Sequence, residues 1–222
     1  ARILIDNGFS SDNVVFSQYG IDLSHGYQAK TSGERQGRLR IGFIGSILKH
    51  KGAHVLVKAI RLLKDCEPVE LRIYGNTEEC PAYVNELKEI ARGVERVKFC
   101  GTFPNGQIGA VLASLDVLVV SSIWYENTPL VIYSAQAAGC PVIASNLGGM
   151  AEVVKHNDNG LLFTPGSSPE LAECIKLLAR NRERVRQLST VTEPKSISQY
   201  VSELLQAYKE IVEQRRDARC AV

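Results

Sequence analysis

Short apolar runs alternate with segments of helical periodicity along most of the chain. Runs that are apolar at nearly every position predict strands covered on both faces; they lie at 39–45, 69–75, 97–101, 116–122, 141–145 and 160–164. Apolar residues spaced three and four apart predict helices over 53–65, 81–93, 105–115, 129–139, 149–156 and 169–181, the last capped by Ser168. This alternation predicts an α/β fold, a Rossmann-like parallel sheet with helices on both faces.

The end of the chain has a different pattern. Residues 194–216 place apolar side chains on one stripe from Ile197 to Ile211, which predicts a long amphipathic helix packed on another surface. The polar segment 27–38, with two glycines, is typical of a linker. We therefore predict one domain over 1–193, with 1–38 as its lead-in segment and linker, and a C-terminal helix within 194–222.

Composition narrows the classes of function. The chain has 222 residues and a formal net charge of +2, so bulk charge gives no argument for a nucleic-acid partner. The apolar runs fall short of the roughly 20 residues that span a bilayer. The first residues lack a basic region followed by an apolar block, and we expect a cytoplasmic protein. The six cysteines form no C-x-x-C pair, which favours buried, reduced thiols over a metal site.

Ligands of open parallel sheets lie beyond the carboxyl ends of the strands, so the strand-to-helix loops hold the candidate chemistry. In the first loop, GSILKHKG at 45–52, Gly45 and Gly52 permit close backbone approach while Lys49 and Lys51 supply cations. The loop matches neither the P-loop nor G-x-G-x-x-G, so a nicotinamide dinucleotide is not indicated. A diphosphate cradle and a plain glycine turn with surface lysines remain alternatives.

Two further loops follow the next strands. Gly75 serves the first as a turn residue. The backbone amides and Thr102 of the second could meet a flat base, although a turn built on Pro104 explains this loop equally well.

The fourth loop carries the sharpest signal. Pro129 suits the first helical position, and Asn127 or Thr128 can cap the helix. The N–H groups of 130–132 then point out of the helix end, where phosphate binds well. Glu126, just before them, is either an acid that suits the helix dipole or an acceptor for hydroxyls beside the phosphates. Phosphates beside a polyol indicate a nucleotide sugar.

Taken together, these loops resemble a known family. The chain resembles the C-terminal domain of family 4 glycosyltransferases, which are retaining enzymes of the GT-B fold. Five of its segments occur in the order and spacing of that domain: GFIGSILKHKG, LRIYGN, VKFCGTF, DVLVVSSIWYENTPLVIYSAQAAGCPVIAS and LGGMAEVVKHNDNGLLFTPGSSPELAECI. The resemblance covers about residues 1–215 and is specific, because separate motifs agree.

The resemblance implies roles for the matching residues. Lys51 would hold the donor diphosphate and Glu126 the donor sugar hydroxyls, and these two are the implied catalytic residues. Thr102 and Phe103 of the CGTF turn would border the base. The other implied donor-binding residues are Gly45, Ser46, Lys49, Gly75, Asn127, Thr128, Pro129, Leu130, Val131 and Ser134, and the loop of Gly148 and Gly149 with Glu152 would be mostly structural.

Two positions depart from the family pattern. Ser134 stands where the family has a second glutamate that grips the ribose, a loss of roughly 1–3 kcal/mol for one hydrogen bond to a charged group. Ser46 stands where many members have an arginine for the diphosphate, which makes Lys51 more important.

The resemblance also implies what this chain would work with. A GT-B enzyme has two Rossmann-like domains, so the acceptor would be held by an N-terminal domain outside this chain, on which the C-terminal helix would also pack. The implied donor is a nucleotide diphosphate sugar, most consistent with UDP, transferred with retention and without metal or cofactor. A peripheral membrane association of the full-length enzyme stays open.

Other interpretations remain beside this one. The two serines also fit a degenerate binding module that keeps the fold without catalysis. An epimerase or phosphorylase on the same fold is a third interpretation, which the ENTPLV loop disfavours. Trp124 and Tyr125 could line the acceptor side or pack in the core.

Overall fold

The computed structural model describes residues 2–15, 17–27, 37–63, 67–189 and 193–220. The chain divides into two compact units, residues 24–193 and residues 1–23 with 194–222. Residues 28–36, the greater part of the predicted linker, lie outside the described residues. The predicted domain bounds stay a prediction.

The larger unit is built on six parallel strands. They are β1 (Leu39–Ile44), β2 (Val69–Tyr74), β3 (Val97–Gly101), β4 (Val117–Val120), β5 (Val142–Ser145) and β6 (Gly160–Phe163). Their order in the sheet is β3-β2-β1-β4-β5-β6. Successive strands are added on one side of β1 up to β3, and on its other side from β4 onward, so the strand order reverses between β1 and β4. This is the Rossmann order, and it confirms the fold class expected from the sequence.

The described helices are divided between the two units, with the first and the last in the smaller unit. They are α1 (Arg2–Asp6), α2 (Ala53–Leu62), α3 (Pro81–Ile90), α4 (Ile108–Ala113), α5 (Leu130–Ala137), α6 (Gly148–Val153), α7 (Ser168–Arg180), α8 (Arg182–Leu188) and α9 (Ile197–Cys220). Sequence analysis missed α8, a short charged helix capped by the side chain of Asn181. It also made α4 too long, because residues 105–107 form a separate 3-10 turn.

Strand β4 shows why the strands read as continuous apolar runs. Val117 and Val119 pack on one face with α2 and α7, whereas Leu118 and Val120 pack on the other with α4 and α5. Both faces of the strand are therefore inside a core, and no position is left for a polar residue.

The cap of α7 differs from the prediction by one residue. Ser167, not Ser168, is the N-cap, and its hydroxyl accepts a hydrogen bond from the N–H of Glu170. The Ser168 hydroxyl instead donates to the carbonyl of Val55 at 3.0 Å and fastens α7 to α2.

The smaller unit joins the two chain ends. Ile21 and Ser196 form an isolated parallel bridge, and the rings of Tyr19 and Tyr200 meet edge to face with centroids 5.7 Å apart. The long C-terminal helix α9 is present, as predicted. The surface on which its apolar stripe packs stays a prediction, and Tyr208 on that stripe is 61% exposed. No helix within the described residues combines the length and the apolar character needed to cross a bilayer.

The cysteines differ in their surroundings. Cys140 is buried and Cys80 and Cys174 are half-buried, as expected of small apolar side chains. Cys100 is exposed, so the prediction of burial is wrong for this residue. It lies on β3, at the edge of the sheet.

Candidate active site

Two loops at the carboxyl ends of neighbouring strands are joined by serine hydroxyls. Ser121 Oγ, just after β4, donates to the carbonyl of Gly52 at 2.9 Å. Ser122 Oγ and the N–H of Ile123 both donate to the carbonyl of His50, at 3.0 and 2.8 Å. Gly52 has φ +72°, and a Cβ there would lie 1.9 Å from the Ser121 carbonyl oxygen, so only glycine allows this approach.

The joined loops bring a lysine and a glutamate together. Lys51 Nζ lies 2.6 Å from Glu126 Oε2, and the two side chains are 30% and 14% exposed. The other carboxylate oxygen of Glu126 is buried and finds no hydrogen-bond donor among the residues that the structure describes. Because a buried acceptor left unpaired is costly, this oxygen is suited to receive a hydroxyl from a ligand.

The start of α5 differs from the prediction in its details. Pro129 occupies the N-cap rather than the first helical position, and neither Asn127 nor Thr128 caps the helix. The Thr128 hydroxyl donates to the carbonyl of Gly149 at 3.3 Å instead. The N–H of Ile132 bonds to the Pro129 carbonyl, so the amides of Leu130 and Val131 remain as the ones without an intrahelical acceptor.

Two glycines hold the glutamate loop in place. The N–H of Gly149 donates to the carbonyl of Glu126 at 3.0 Å, and a Cβ on Gly149 would lie 0.9 Å from the Asn127 carbonyl oxygen. Gly148, with φ +52°, lies against the ring of Tyr125. This packing agrees with the structural role expected for the glycine pair.

Five of the residues predicted to bind the donor line one depression of about 250 Å³. They are Gly45, Ser46, Gly75, Thr102 and Phe103. The backbones of Gly75 and Gly45 pack closely at this depression, since a Cβ on Gly75 would lie 2.3 Å from the Gly45 carbonyl oxygen. The ring of Phe103 meets that of Tyr74 edge to face, with centroids 5.5 Å apart.

Lys49 is not brought into the site. Its ammonium lies 3.9 Å from Glu86 on α3, and its side chain is 71% exposed. In the first loop, Lys51 is thus the lysine that faces Glu126.

Ser134 is buried on α5 and has a partner that sequence analysis did not find. Its hydroxyl lies 3.1 Å from the hydroxyl of Tyr27, and Ser134 is 7% exposed. Tyr27 comes from the segment interpreted as linker, and its position in the sequence gave no signal of this contact.

A larger cavity, of about 730 Å³, lies away from these loops. It is lined by residues of α2, α7 and β6, including Cys174 and Arg180, and by Glu67 from the segment before β2. Its lining includes none of the predicted site residues and none of the carboxyl-end loops. We therefore place the candidate site at the carboxyl ends of the strands. No three potential metal-ligating side chains lie together in the described part of the chain.

A Rossmann-order sheet with a lysine, a carboxylate and a helix start at the carboxyl ends of its strands defines an α/β ligand-binding domain. Solved structures share the fold. HepE of Anabaena, in complex with UDP, superposes with a TM-score of 0.80 and 25% identity over 94% of this chain and 61% of its own. The C-terminal domain of LpcC from Francisella tularensis gives 0.67 and 24%, over 78% and 94%.

Sequence comparison identifies the family. Residues 38–181 match the family described as glycosyl transferases group 1, and the chain belongs to that family. It is 34% identical over 139 residues to the phosphatidyl-myo-inositol mannosyltransferase of Mycobacterium leprae, over 60% of this chain and 36% of that protein. It is 31% identical over 158 residues to spore coat protein SA of Bacillus subtilis, over 68% and 42%. The matched part of the chain thus covers less than half the length of these relatives.

Proposed function

We propose that this chain is the donor-binding part of a glycosyltransferase and holds a nucleotide diphosphate sugar, most consistent with a UDP-sugar. The observation that carries the proposal is the 2.6 Å pairing of Lys51 with Glu126 just before α5 begins. A cation suits the diphosphate and a carboxylate suits sugar hydroxyls. The similarity to HepE, solved in complexes described with UDP and with UDP-glucose, supports the same ligand class.

Each part of the site then has a role toward the donor. The Lys51 ammonium and the amides of Leu130 and Val131 stabilise the negative charge that grows on the diphosphate as it leaves. Glu126 accepts hydrogen bonds from the donor sugar, and its unpaired carboxylate oxygen leaves it with acceptor capacity that Lys51 does not use. The depression between Gly75 and Phe103 receives the base.

The finer points of the reaction belong to the same proposal. The bond from the anomeric carbon to the diphosphate breaks and a bond to an acceptor hydroxyl oxygen forms, with retention, while the hydroxyl proton passes to the leaving diphosphate. Protein groups rather than a metal hold the leaving charge. The acceptor is held mainly by the second Rossmann-like domain of the GT-B fold, so this chain alone binds donor without turnover. A cytoplasmic location and peripheral membrane association of the full-length enzyme stay predictions.

Calorimetric titration of the chain with UDP and UDP-glucose tests the proposal. We expect binding of both, and a loss of at least about tenfold in Lys51→Ala, since one charge-assisted hydrogen bond contributes about 1.5–3 kcal/mol. Lys49→Ala is the matched control, because that lysine lies beside Glu86 and should leave UDP affinity unchanged. Absence of heat and of any rise in melting temperature at millimolar UDP would overturn the proposal.

A second candidate is a module of the same fold that binds without catalysis. The observation that favours it is the burial of Ser134 against Tyr27, which puts a neutral hydroxyl pair where the family pattern has an acid. The variant Ser134→Glu, which restores the carboxylate of the family pattern, separates the two candidates.

A further inference from the structure

Two aromatic side chains stand exposed beside the candidate site. Trp124 and Tyr125, the two residues before Glu126, are each 66% exposed. The alternative that they pack in the core is therefore wrong. Exposed aromatic rings next to a polar cleft commonly mark a surface that contacts a ligand or a partner.

The backbone beneath these rings is held on both sides. On one side, the N–H of Ile123 bonds to the His50 carbonyl at 2.8 Å. On the other, the Glu126 carbonyl accepts from the N–H of Gly149 at 3.0 Å, while the Tyr125 ring lies against Gly148. The rings thus project from a fixed base, which reduces the entropy lost when they contact a ligand.

The difference in burial between the Lys51–Glu126 pair and the two rings indicates which substrate each of them contacts. Glu126 and Lys51 are recessed, at 14% and 30% exposed, whereas the two rings stand at the surface. A donor bound to the recessed pair occupies the inner position. A second substrate that reaches the donor sugar from the solvent side would meet the two rings.

We infer that Trp124 and Tyr125 form a platform for a sugar ring of the acceptor substrate. The inference rests on the proposed function. A pyranose ring has an apolar face of C–H groups and a rim of hydroxyls, which matches an aromatic surface whose neighbours are a carboxylate and an ammonium. An acceptor that is itself a carbohydrate fits this surface better than a purely apolar alcohol.

The chain supplies its own reporter for a test. Trp124 is its single tryptophan, so tryptophan emission reports on this position alone. The 222-residue chain is first saturated with UDP-glucose, which fills the inner sugar position, and is then titrated with methyl α-D-glucopyranoside. We expect the emission to shift to shorter wavelength and acrylamide quenching to fall. Sorbitol has the hydroxyls without the ring and should leave both unchanged.

Variants separate stacking from a structural role. Tyr125→Ala should weaken the response to the methyl glucoside roughly twofold to tenfold, the range of one aromatic contact, and Tyr125→Phe should restore it. Tyr208→Ala, on α9 and 61% exposed, is the matched control. Tyr125→Phe and Tyr208→Ala should leave the melting temperature and the affinity for UDP unchanged. Tyr125→Ala is compared with Tyr125→Phe, because the Tyr125 ring also lies against Gly148.

The outcomes distinguish the two proposals. If neither UDP nor UDP-glucose binds by calorimetry, the proposed function fails and this inference fails with it. If UDP-glucose binds but the emission does not respond to the methyl glucoside, or responds equally to sorbitol, only the acceptor platform is overturned. A response that disappears once UDP-glucose is present also overturns it, because the sugar was then bound in the donor position.

Discussion

Lys51 Nζ and Glu126 Oε2 lie 2.6 Å apart although 74 residues separate them along the chain, since their loops follow the neighbouring strands β1 and β4. Each residue alone could be explained as a surface charge. Together they place a cation and an acid in one recess.

This pair should stabilise the fold as well as bind ligand. Lys51→Met leaves the recessed carboxylate without its counter-ion, and we expect the free energy of unfolding to fall by roughly 1–2 kcal/mol, less than for a fully buried pair because Lys51 is partly exposed. The double variant Lys51→Met with Glu126→Gln should recover part of this loss. Urea denaturation of the unmodified protein, the two single variants and the double variant measures the coupling free energy between the two side chains.

The surface pair of Lys49 and Glu86 provides the comparison. These atoms are 3.9 Å apart on side chains that are 71% and 45% exposed, and the same double-variant cycle should give a coupling near zero. Equal coupling free energies for the two pairs would mean that Lys51 and Glu126 stabilise the fold no more than an exposed ion pair does.

Gly149 should be intolerant of a side chain. Gly149→Ala brings a methyl group into the Asn127 carbonyl, so the glutamate loop must shift, at a cost of roughly 1–3 kcal/mol and with weaker UDP binding. Gly106→Ala is the matched substitution, because nothing lies within 4 Å of a Cβ there. Thermal unfolding and calorimetry of both variants check this, and similar behaviour of the two would contradict it.

Ser134→Glu tests whether the donor pocket is intact. If it is, the new carboxylate should raise UDP affinity roughly fivefold to 100-fold, the equivalent of a hydrogen bond to a charged group. Ser134→Ala and Tyr27→Phe remove the existing hydroxyl pair without adding charge, and they show how much of any change comes from losing that contact. A folded Ser134→Glu protein with unchanged UDP affinity would favour the binding module.

Asp116 should make stability depend on pH at the acid end. Burial raises the pKa of this carboxyl, but hydrogen bonds from Arg40 and the charge of Arg182 outweigh burial and hold the pKa at about 2. Because the folded pKa lies below the ordinary value of 3.8, the stabilisation is complete above about pH 4 and is lost as the pH falls through 2.

Asp116→Asn measures this contribution. It should cost roughly 2 kcal/mol at neutral pH, and the cost should shrink towards pH 2. Glu183→Gln, which removes an exposed partner of Arg186, should have a small effect at every pH. A cost for Asp116→Asn that does not change between pH 7 and pH 2 would contradict the assignment.

The fold was predictable because the signal for it is local. Strands such as β4 are apolar at every position. A glycine marks the end of β1, β2 and β3, at Gly45, Gly75 and Gly101. The carboxyl-end rule then placed Lys51 and Glu126 at one edge of the sheet before any contact was known.

What sequence analysis missed depends on contacts between distant residues or on choices between equivalent neighbours. Nothing local links Tyr27 to Ser134, and Ser167 and Ser168 are chemically identical candidates for one cap. Lys49 and Lys51 likewise look alike in the sequence, and only the 3-10 turn between them turns one toward α3 and the other toward Glu126.

The hydroxyls of Ser121 and Ser122 have a consequence for engineering. Because both donate to carbonyls of residues 50–52, neither loop can be exchanged with that of a relative on its own. A transplant of these loops must carry 45–52 and 121–128 together, or the recipient loses the alignment of Lys51 with Glu126.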